Sequence, residues 1–200
     1  MRWAAALEEF ATQAGDRSST AYRQLVRCLW DQGLLDTDAP AAVPALVRVL
    51  AEPTTPEVKR ARIALLLGLL AEGRDDGRAQ GRAALARAAV RSGIPRYLEI
   101  LGDSTTPAAR FALIYLLAHF HEDGASILAH EALQGSAGTP AMARLERVLR
   151  FQDSSSGDLI EHAKQLVPDG TAQPDWARSQ IRASILAPLG AEALFVIESS

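Results

Sequence analysis

EPTTPEVKRARIALLLGLLAEG, from Glu52 to Gly73, is followed fifty-one residues later by a second version, DSTTPAARFALIYLLAHFHEDG, from Asp103 to Gly124. Each version begins with an acidic residue and a Thr-Thr-Pro turn, and continues as a run that is apolar on nearly every side. A helix without a polar face must be covered by other elements on several sides. The repetition therefore predicts helices that are arranged in similar pairs and that cover one another.

A short apolar helix is predicted before each of these runs, over Val43–Ala51 and over Ile94–Gly102. Pro44 and Pro95 suit the first helical position, where no backbone N–H is needed. Each short helix would be the first member of a pair, and the long apolar run would be the second. Stacked pairs of this kind are the basis of α-solenoids, in which each unit completes the core of its neighbour.

The turn between the two helices of each pair carries residues that favour a helix start. Thr55 and Thr106 are predicted to cap the second helix of their pairs, with Pro56 and Pro107 at its first position. Glu57 would then lie in the first turn, where the helix dipole favours an anion.

The stretch VPALVRVLAEPTTPEVKRARIALLLGLL, residues 43–70, resembles the HEAT-repeat family. The second copy keeps Asp103, Pro107, Arg110 and Ala112, and has a histidine, His119, where the first copy has Gly68. The resemblance implies an all-α fold, a HEAT-like α-α superhelix in which the second helices line a concave surface. HEAT motifs identify a fold and seldom a function.

The remaining sequence is predicted to continue the same arrangement as one domain over residues 1–200. An opening pair is predicted at Trp3–Ala14 and Ala21–Leu34, and Ser155 or Ser156 is expected to cap a later helix. Further helical stretches are predicted at 75–90, 124–133, 139–151, 154–166, 173–186 and 191–198. Because no stretch alternates like a strand, we expect about ten or eleven helices and no sheet.

Composition excludes several classes of protein. The chain is 48% hydrophobic with a formal net charge of −3, which is typical of a folded protein without a general attraction to nucleic acid or anionic lipid. The single cysteine, Cys28, excludes an internal disulfide and a cysteine-based metal knuckle. Acidic Glu8 and Glu9 interrupt the first apolar run, and no stretch has the length of a membrane span, so a cytoplasmic protein is predicted.

Basic residues are concentrated in segment 58–96, which carries nine of them against three acidic residues. They are Lys59, Arg60, Arg62, Arg74, Arg78, Arg82, Arg87, Arg91 and Arg96. One interpretation is an electropositive surface for phosphate or an acidic partner, and HEAT-like DNA glycosylases hold duplex DNA along a concave surface of this type. The other interpretation is a solvated helix face, because Arg74, Arg78 and Arg82 recur every four residues.

A histidine-rich turn, HFHEDG, offers the second candidate for chemistry, with His119, His121 and Glu122 as weak catalytic candidates. Within a helix, His119 and His121 would point about 200° apart, so sharing a ligand requires the helix to end near Phe120. The spacing is weaker than that of known zinc motifs, and no metal or cofactor is predicted. Histidine near a helix C-terminus also stabilises the helix dipole, which is the simpler interpretation.

The function that we expect from the sequence is binding of a protein or peptide partner through the concave face. The predicted contacts are the polar residues of the second helices: Lys59, Arg62, Arg110, Tyr115 and His119. The alternative is an enzyme on the same scaffold, acting on nucleic acid or a small molecule through the arginine-rich groove or the histidine-rich turn. The chain has no phosphate-binding loop, dinucleotide fingerprint or nucleophile elbow.

Overall fold

The computed structural model describes residues 2–75, 81–120, 140–153, 156–170, 173–186, 188–190 and 193. Within these residues the protein is all-α, as predicted, with ten α-helices. They are α1 (Arg2–Thr12), α2 (Gly15–Leu29), α3 (Ala39–Ala51), α4 (Glu57–Glu72), α5 (Arg82–Arg91), α6 (Ile94–Asp103), α7 (Pro107–Leu117), α8 (Pro140–Asp153), α9 (Ser156–Leu166) and α10 (Pro174–Ile181). A short π-helix, Arg182–Leu186, follows α10.

Helix α4 lies at the centre of the described part of the molecule. Every residue from Ala61 to Ala71 is buried, and α4 packs against α2, α3, α5 and α7. Leu65 on α4 and Leu116 on α7 are both completely buried. The two long apolar runs therefore do cover one another, which confirms the central expectation from the repeat. A regular HEAT-like superhelix stays a prediction.

The first helix of each repeat follows the prediction closely in one copy and less closely in the other. Helix α6 begins at Ile94 with Pro95 in its first turn, as expected. Helix α3 begins at Ala39, four residues before the predicted start, so Pro44 lies inside the helix. Pro40 takes the role that Pro44 was predicted to have, because proline is tolerated in the first turn of a helix.

The two predicted threonine caps have different outcomes. The hydroxyl of Thr106 accepts a hydrogen bond from the amide of Ala109 at 3.4 Å, which confirms the cap on α7. The prediction for Thr55 was wrong, because its hydroxyl donates to the carbonyl oxygen of Val49 at 2.8 Å instead. Pro56 occupies the N-cap position of α4 without a side-chain hydrogen bond.

A two-stranded ribbon corrects the expectation of no sheet. Strand β1 (Trp30–Asp31) pairs antiparallel with β2 (Leu34–Leu35), and Gln32 and Gly33 form the turn with φ values of 49° and 89°. Leu34 also forms a parallel bridge with Arg74. The ribbon replaces the end of the predicted second helix, so α2 covers Gly15–Leu29. Strands of two residues are too short to show an alternating pattern.

Helices α9 and α10 lie within the predicted stretches, and α9 begins at Ser156, whereas α8 extends two residues beyond the predicted stretch 139–151. The stretch 124–133, nearly all of 191–198, and Ser155 lie outside the described residues. Buried residues from Trp3 to Leu189 form one connected hydrophobic core. In the part of the chain that the structure describes, no helix combines the length and apolarity needed to cross a membrane.

Candidate functional site

Lys59, a predicted contact residue, lies inside the molecule. Only 8% of the residue is exposed, and its ammonium group donates to the carbonyl oxygens of Ala11 and Gln13 at 2.8 and 2.7 Å. These carbonyl groups lie at the C-terminal end of α1, where they have no partner within the helix. A cation at this end also interacts favourably with the helix dipole. Burial, together with the charge of Arg62, lowers the pKa of Lys59. Lys59 therefore joins α4 to α1 and is not available to a partner.

The other predicted basic contacts are also directed to the protein itself. Arg62 is buried, its guanidinium carbon lies 5.6 Å from the centre of the Tyr22 ring, and the Tyr22 hydroxyl donates to the Arg62 carbonyl oxygen at 2.8 Å. Arg110 is half-buried and donates to the carbonyl oxygens of Leu101 and Ser104, at the end of α6. Of the three, Lys59 and Arg62 are buried, and Arg110 is half-buried.

The concentration of basic residues in segment 58–96 has the same explanation. At least five of the nine donate to backbone carbonyl oxygens of the described residues: Lys59, Arg60, Arg82, Arg87 and Arg96. Arg60 bonds to Glu52 and Pro53 at 3.1 Å each, and Arg96 bonds to Ala51 at 3.0 Å, so both close the end of α3. The structure therefore uses much of this charge to satisfy helix ends, a role that neither sequence interpretation included.

His119 lies in the turn after α7, and its ring is completely buried. Its Nδ1 atom lies 3.0 Å from a carboxylate oxygen of Glu72, the last residue of α4. Its own carbonyl oxygen accepts a hydrogen bond from Arg87 on α5. A carboxylate that orients an imidazole is a common arrangement at catalytic sites. Here the enclosed ring joins the ends of α4 and α7 and has no contact with solvent.

Tyr115 completes this buried cluster. Its ring meets the His119 ring edge-to-face with the centres 4.9 Å apart. A Cβ atom on Gly68 would lie 2.4 Å from Tyr115 Cε1, and one on Gly190 would lie 2.1 Å from the Tyr115 hydroxyl. Burial and the charge of Glu72 raise the pKa of Tyr115. Tyr115 and His119, both predicted contacts on a concave face, are core residues of this structure.

The remaining candidates of the histidine-rich turn, His121 and Glu122, lie outside the described residues, as does Arg78 of segment 58–96. Among the residues for which the structure gives positions, no three His, Cys, Asp or Glu side chains come together as a metal site would require.

An open groove lies between α1 and α3. Its volume is about 290 Å³. Helix α1 contributes Trp3, Ala4, Leu7, Glu8 and Ala11. Helix α3 contributes Ala45, Arg48 and Val49. The groove is thus mainly apolar, and three of its lining residues are alanines.

Two exposed charges of opposite sign stand on opposite walls of this groove, Glu8 on α1 and Arg48 on α3. Neither takes part in an ion pair with another residue of the described ranges. Arg48 is the sole charged residue in the thirteen-residue helix α3. The outward face of α3 otherwise consists of residues such as Ala41 and Pro44, which are exposed.

Comparisons of the chain with protein-family models, with curated proteins and with solved structures found no match. The HEAT resemblance therefore stays a prediction from the sequence.

The sequence interpretation missed the groove because it placed the contact surface on the second helices, α4 and α7. One signal was present: α3 reads APAAVPALVRVLA, with a single charge in a helix that lies at the surface. A surface helix normally carries a polar outer face.

Proposed function

We propose that this protein is a helical scaffold that binds an α-helical segment of a protein partner in the α1–α3 groove. The groove itself is the observation that carries the proposal. The binding function is the one expected from the sequence, but the surface is different. Residues 61–71 of α4 and 112–117 of α7 are buried, which favours a surface outside the second helices.

A helical segment fits the shape and the lining of this groove. Small residues at Ala4, Ala11 and Ala45 allow a third helix to approach α1 and α3 closely, within the 8–10 Å that packed helices take. Leu7 and Val49 supply apolar contact. Recognition of an amphipathic helix by an apolar groove is a common mode of peptide binding.

The volume of the groove also favours a polypeptide over a small molecule. At about 290 Å³ the groove is at or below the lower limit of typical ligand pockets, and it is open to solvent. It therefore suits a few side chains of a partner helix. The enzymatic alternative stays a prediction without support from the described residues, because His119 is enclosed and because Arg60 and Arg96 bond to carbonyl groups at the end of α3.

Matched substitutions on α1 test the proposal, because Ala4 lines the groove and its exposed neighbour Ala5 does not. A photo-crosslinking residue at Ala11 would identify the segment that occupies the groove, and a synthetic peptide of that segment would then be titrated by fluorescence anisotropy. We expect Ala4→Arg to weaken binding at least about tenfold by filling the groove, with Ala5→Arg within about twofold of the wild type.

Circular dichroism of both variants checks that the fold is retained. The proposal fails if position 11 gives no specific crosslink, or if the peptide binds the Ala4→Arg and Ala5→Arg variants equally well.

A further inference from the structure

We infer that the occupant of the α1–α3 groove is the same surface of a second copy of this chain, so that the protein forms a two-fold symmetric dimer. The inference rests on the proposed function, because it names the partner for the groove described there. Its evidence is the charge pattern of the groove and the unusual surface of α3.

The two charges make the groove complementary to itself. Glu8 stands on the α1 wall and Arg48 on the α3 wall, with an apolar floor between them. A two-fold axis that runs along the groove, in the plane between the two copies, places α1 of one copy over α3 of the other. Glu8 of each copy then faces Arg48 of its partner, and both pairs form at once. In an isologous interface each contact occurs twice, which doubles its effect.

The apolar surface of α3 supports burial in an interface. In this helix Ala41 and Pro44 are exposed, Ala45 and Val49 are partly exposed, and Arg48 is the one charged residue. Interface centres are depleted in charge compared with the rest of a protein surface. The neighbouring wall adds exposed Ala4 and Ala11. A pair of helices with small outward side chains can pack closely against a second identical pair.

A second copy explains the mixed charges better than a foreign helix of one sign. A basic segment would satisfy Glu8 but repel Arg48, and an acidic segment would do the reverse. Two-fold dimers are also the commonest oligomers of soluble proteins.

Charge exchange tests the dimer directly by sedimentation equilibrium. The wild type is expected to sediment as a dimer in the micromolar range. Glu8→Arg places two Arg–Arg pairs in the interface, and Arg48→Glu places two Glu–Glu pairs there. Each variant alone is expected to raise the dimer dissociation constant at least about tenfold.

An equimolar mixture of the two variants provides the decisive measurement. In a mixed dimer the arginine introduced at position 8 of one copy meets the glutamate introduced at position 48 of the other, and the unchanged Arg48 meets the unchanged Glu8. We therefore expect the mixture to recover a heterodimer. Glu9→Arg is the matched control, because Glu9 is exposed on the same helix but does not line the groove, and it should dimerise like the wild type.

A wild type that stays monomeric through the micromolar range overturns the inference, and so does a mixture of the two variants that stays monomeric. If a foreign segment crosslinks at position 11 while the wild type is monomeric, the inference fails and the proposed function stands. If no segment of any protein crosslinks there, both fail.

Discussion

Glu57 shows how one residue can support two helices at once. It lies in the first turn of α4, yet its carboxylate accepts hydrogen bonds from the amide and hydroxyl of Thr106, at 2.9 and 2.8 Å. Thr106 is the N-cap residue of α7, so the anion also faces the N-terminal end of that helix. Burial acts to raise the pKa of Glu57, but the hydrogen bonds from Thr106 and Thr105 and the charge of Arg60 outweigh it and lower the pKa.

Glu57→Gln is therefore expected to reduce the free energy of unfolding by about 1–3 kcal/mol at neutral pH, because a charged acceptor is replaced by a neutral one. The lowered pKa makes the carboxylate stabilising above its unfolded pKa, and this stabilisation is lost as the pH falls through the folded pKa. The difference between wild type and variant should accordingly shrink on acidification. Urea denaturation at several pH values measures it.

Glu9→Gln serves as the control for this series, since Glu9 is exposed on α1 and its carboxylate has no bond to the described residues. It should change stability by less than about 0.5 kcal/mol at every pH. If the difference in the free energy of unfolding between the wild type and Glu57→Gln stays constant down to strongly acidic pH, the assigned role is contradicted.

The sequence could predict the position of Glu57 but not its partner. A first-turn acid follows from local pattern, whereas the bond to Thr106 joins residues 49 positions apart and depends on how α4 and α7 meet. The basic residues of segment 58–96 show the same limit. Their charge is visible in the sequence, but the carbonyl groups that they reach are set by the tertiary fold.

At the scale of elements, the contact between α4 and α7 depends on a missing side chain. Gly68 lies in the buried part of α4, and a Cβ atom there would lie 2.4 and 2.8 Å from Cε1 and Cδ1 of Tyr115. Real Cβ atoms do not approach other atoms so closely. The Tyr115 ring is enclosed and has little room to move.

Gly68→Ala is thus expected to destabilise the protein by about 1–3 kcal/mol, even though alanine is the better helix former. Gly102→Ala in α6 is the matched control, because nothing lies within 4 Å of its Cβ position. That change should be neutral or stabilise by up to about 1 kcal/mol. Thermal denaturation followed by circular dichroism measures both.

A double variant, Gly68→Ala with Tyr115→Leu, tests whether the overlap is the cause. If it is, Tyr115→Leu lowers the free energy of unfolding less in the Gly68→Ala variant than in the wild type. The effects of the two substitutions are then not additive. Strict additivity would show that Gly68 is required for a different reason.

Helices that repeat a strong local pattern were the elements that the sequence predicted best. Helices α4, α6 and α7 begin within about two residues of the predicted starts, because proline and threonine mark them. The start of α3 was wrong since two prolines lie close together and either could open the helix. The ribbon at Trp30–Leu35 was missed because strands of two residues are too short to show an alternating pattern.

For the whole molecule, the sequence predicted an all-α protein with helices that cover one another, and the burial of Leu65 and Leu116 agrees with it. The docking surface could not be predicted in the same way. Polar residues on the second helices suggested a concave face, but residues 61–71 and 112–117 of those helices are buried. The groove instead arises where α1 lies beside α3, and no local pattern encodes that contact.

The position of α4 has a consequence for how the molecule unfolds. A stack of repeats in which each unit contacts its neighbours alone can unfold in parts. Here α4 packs against four helices, and the Tyr115 hydroxyl and Leu69 reach the backbone at Gly190, close to the C-terminal helices. We expect a destabilising substitution in α4 to lower the stability of the whole core. This includes the region near Trp176 on α10, which is packed against that core.

Leu65→Ala tests this in a background in which Trp3 and Trp30 are replaced by phenylalanine, leaving Trp176 as the fluorophore. The loss of a buried leucine should cost about 2–5 kcal/mol and lower the Tm by roughly 5–15 °C. Trp176 fluorescence and far-UV circular dichroism should shift together, because one core unfolds as a unit. Leu85→Ala is the control, since Leu85 is 64% exposed, and should leave both transitions nearly unchanged. If Leu65→Ala lowers the Tm measured by circular dichroism but not the Tm measured by Trp176 fluorescence, α10 unfolds independently of α4.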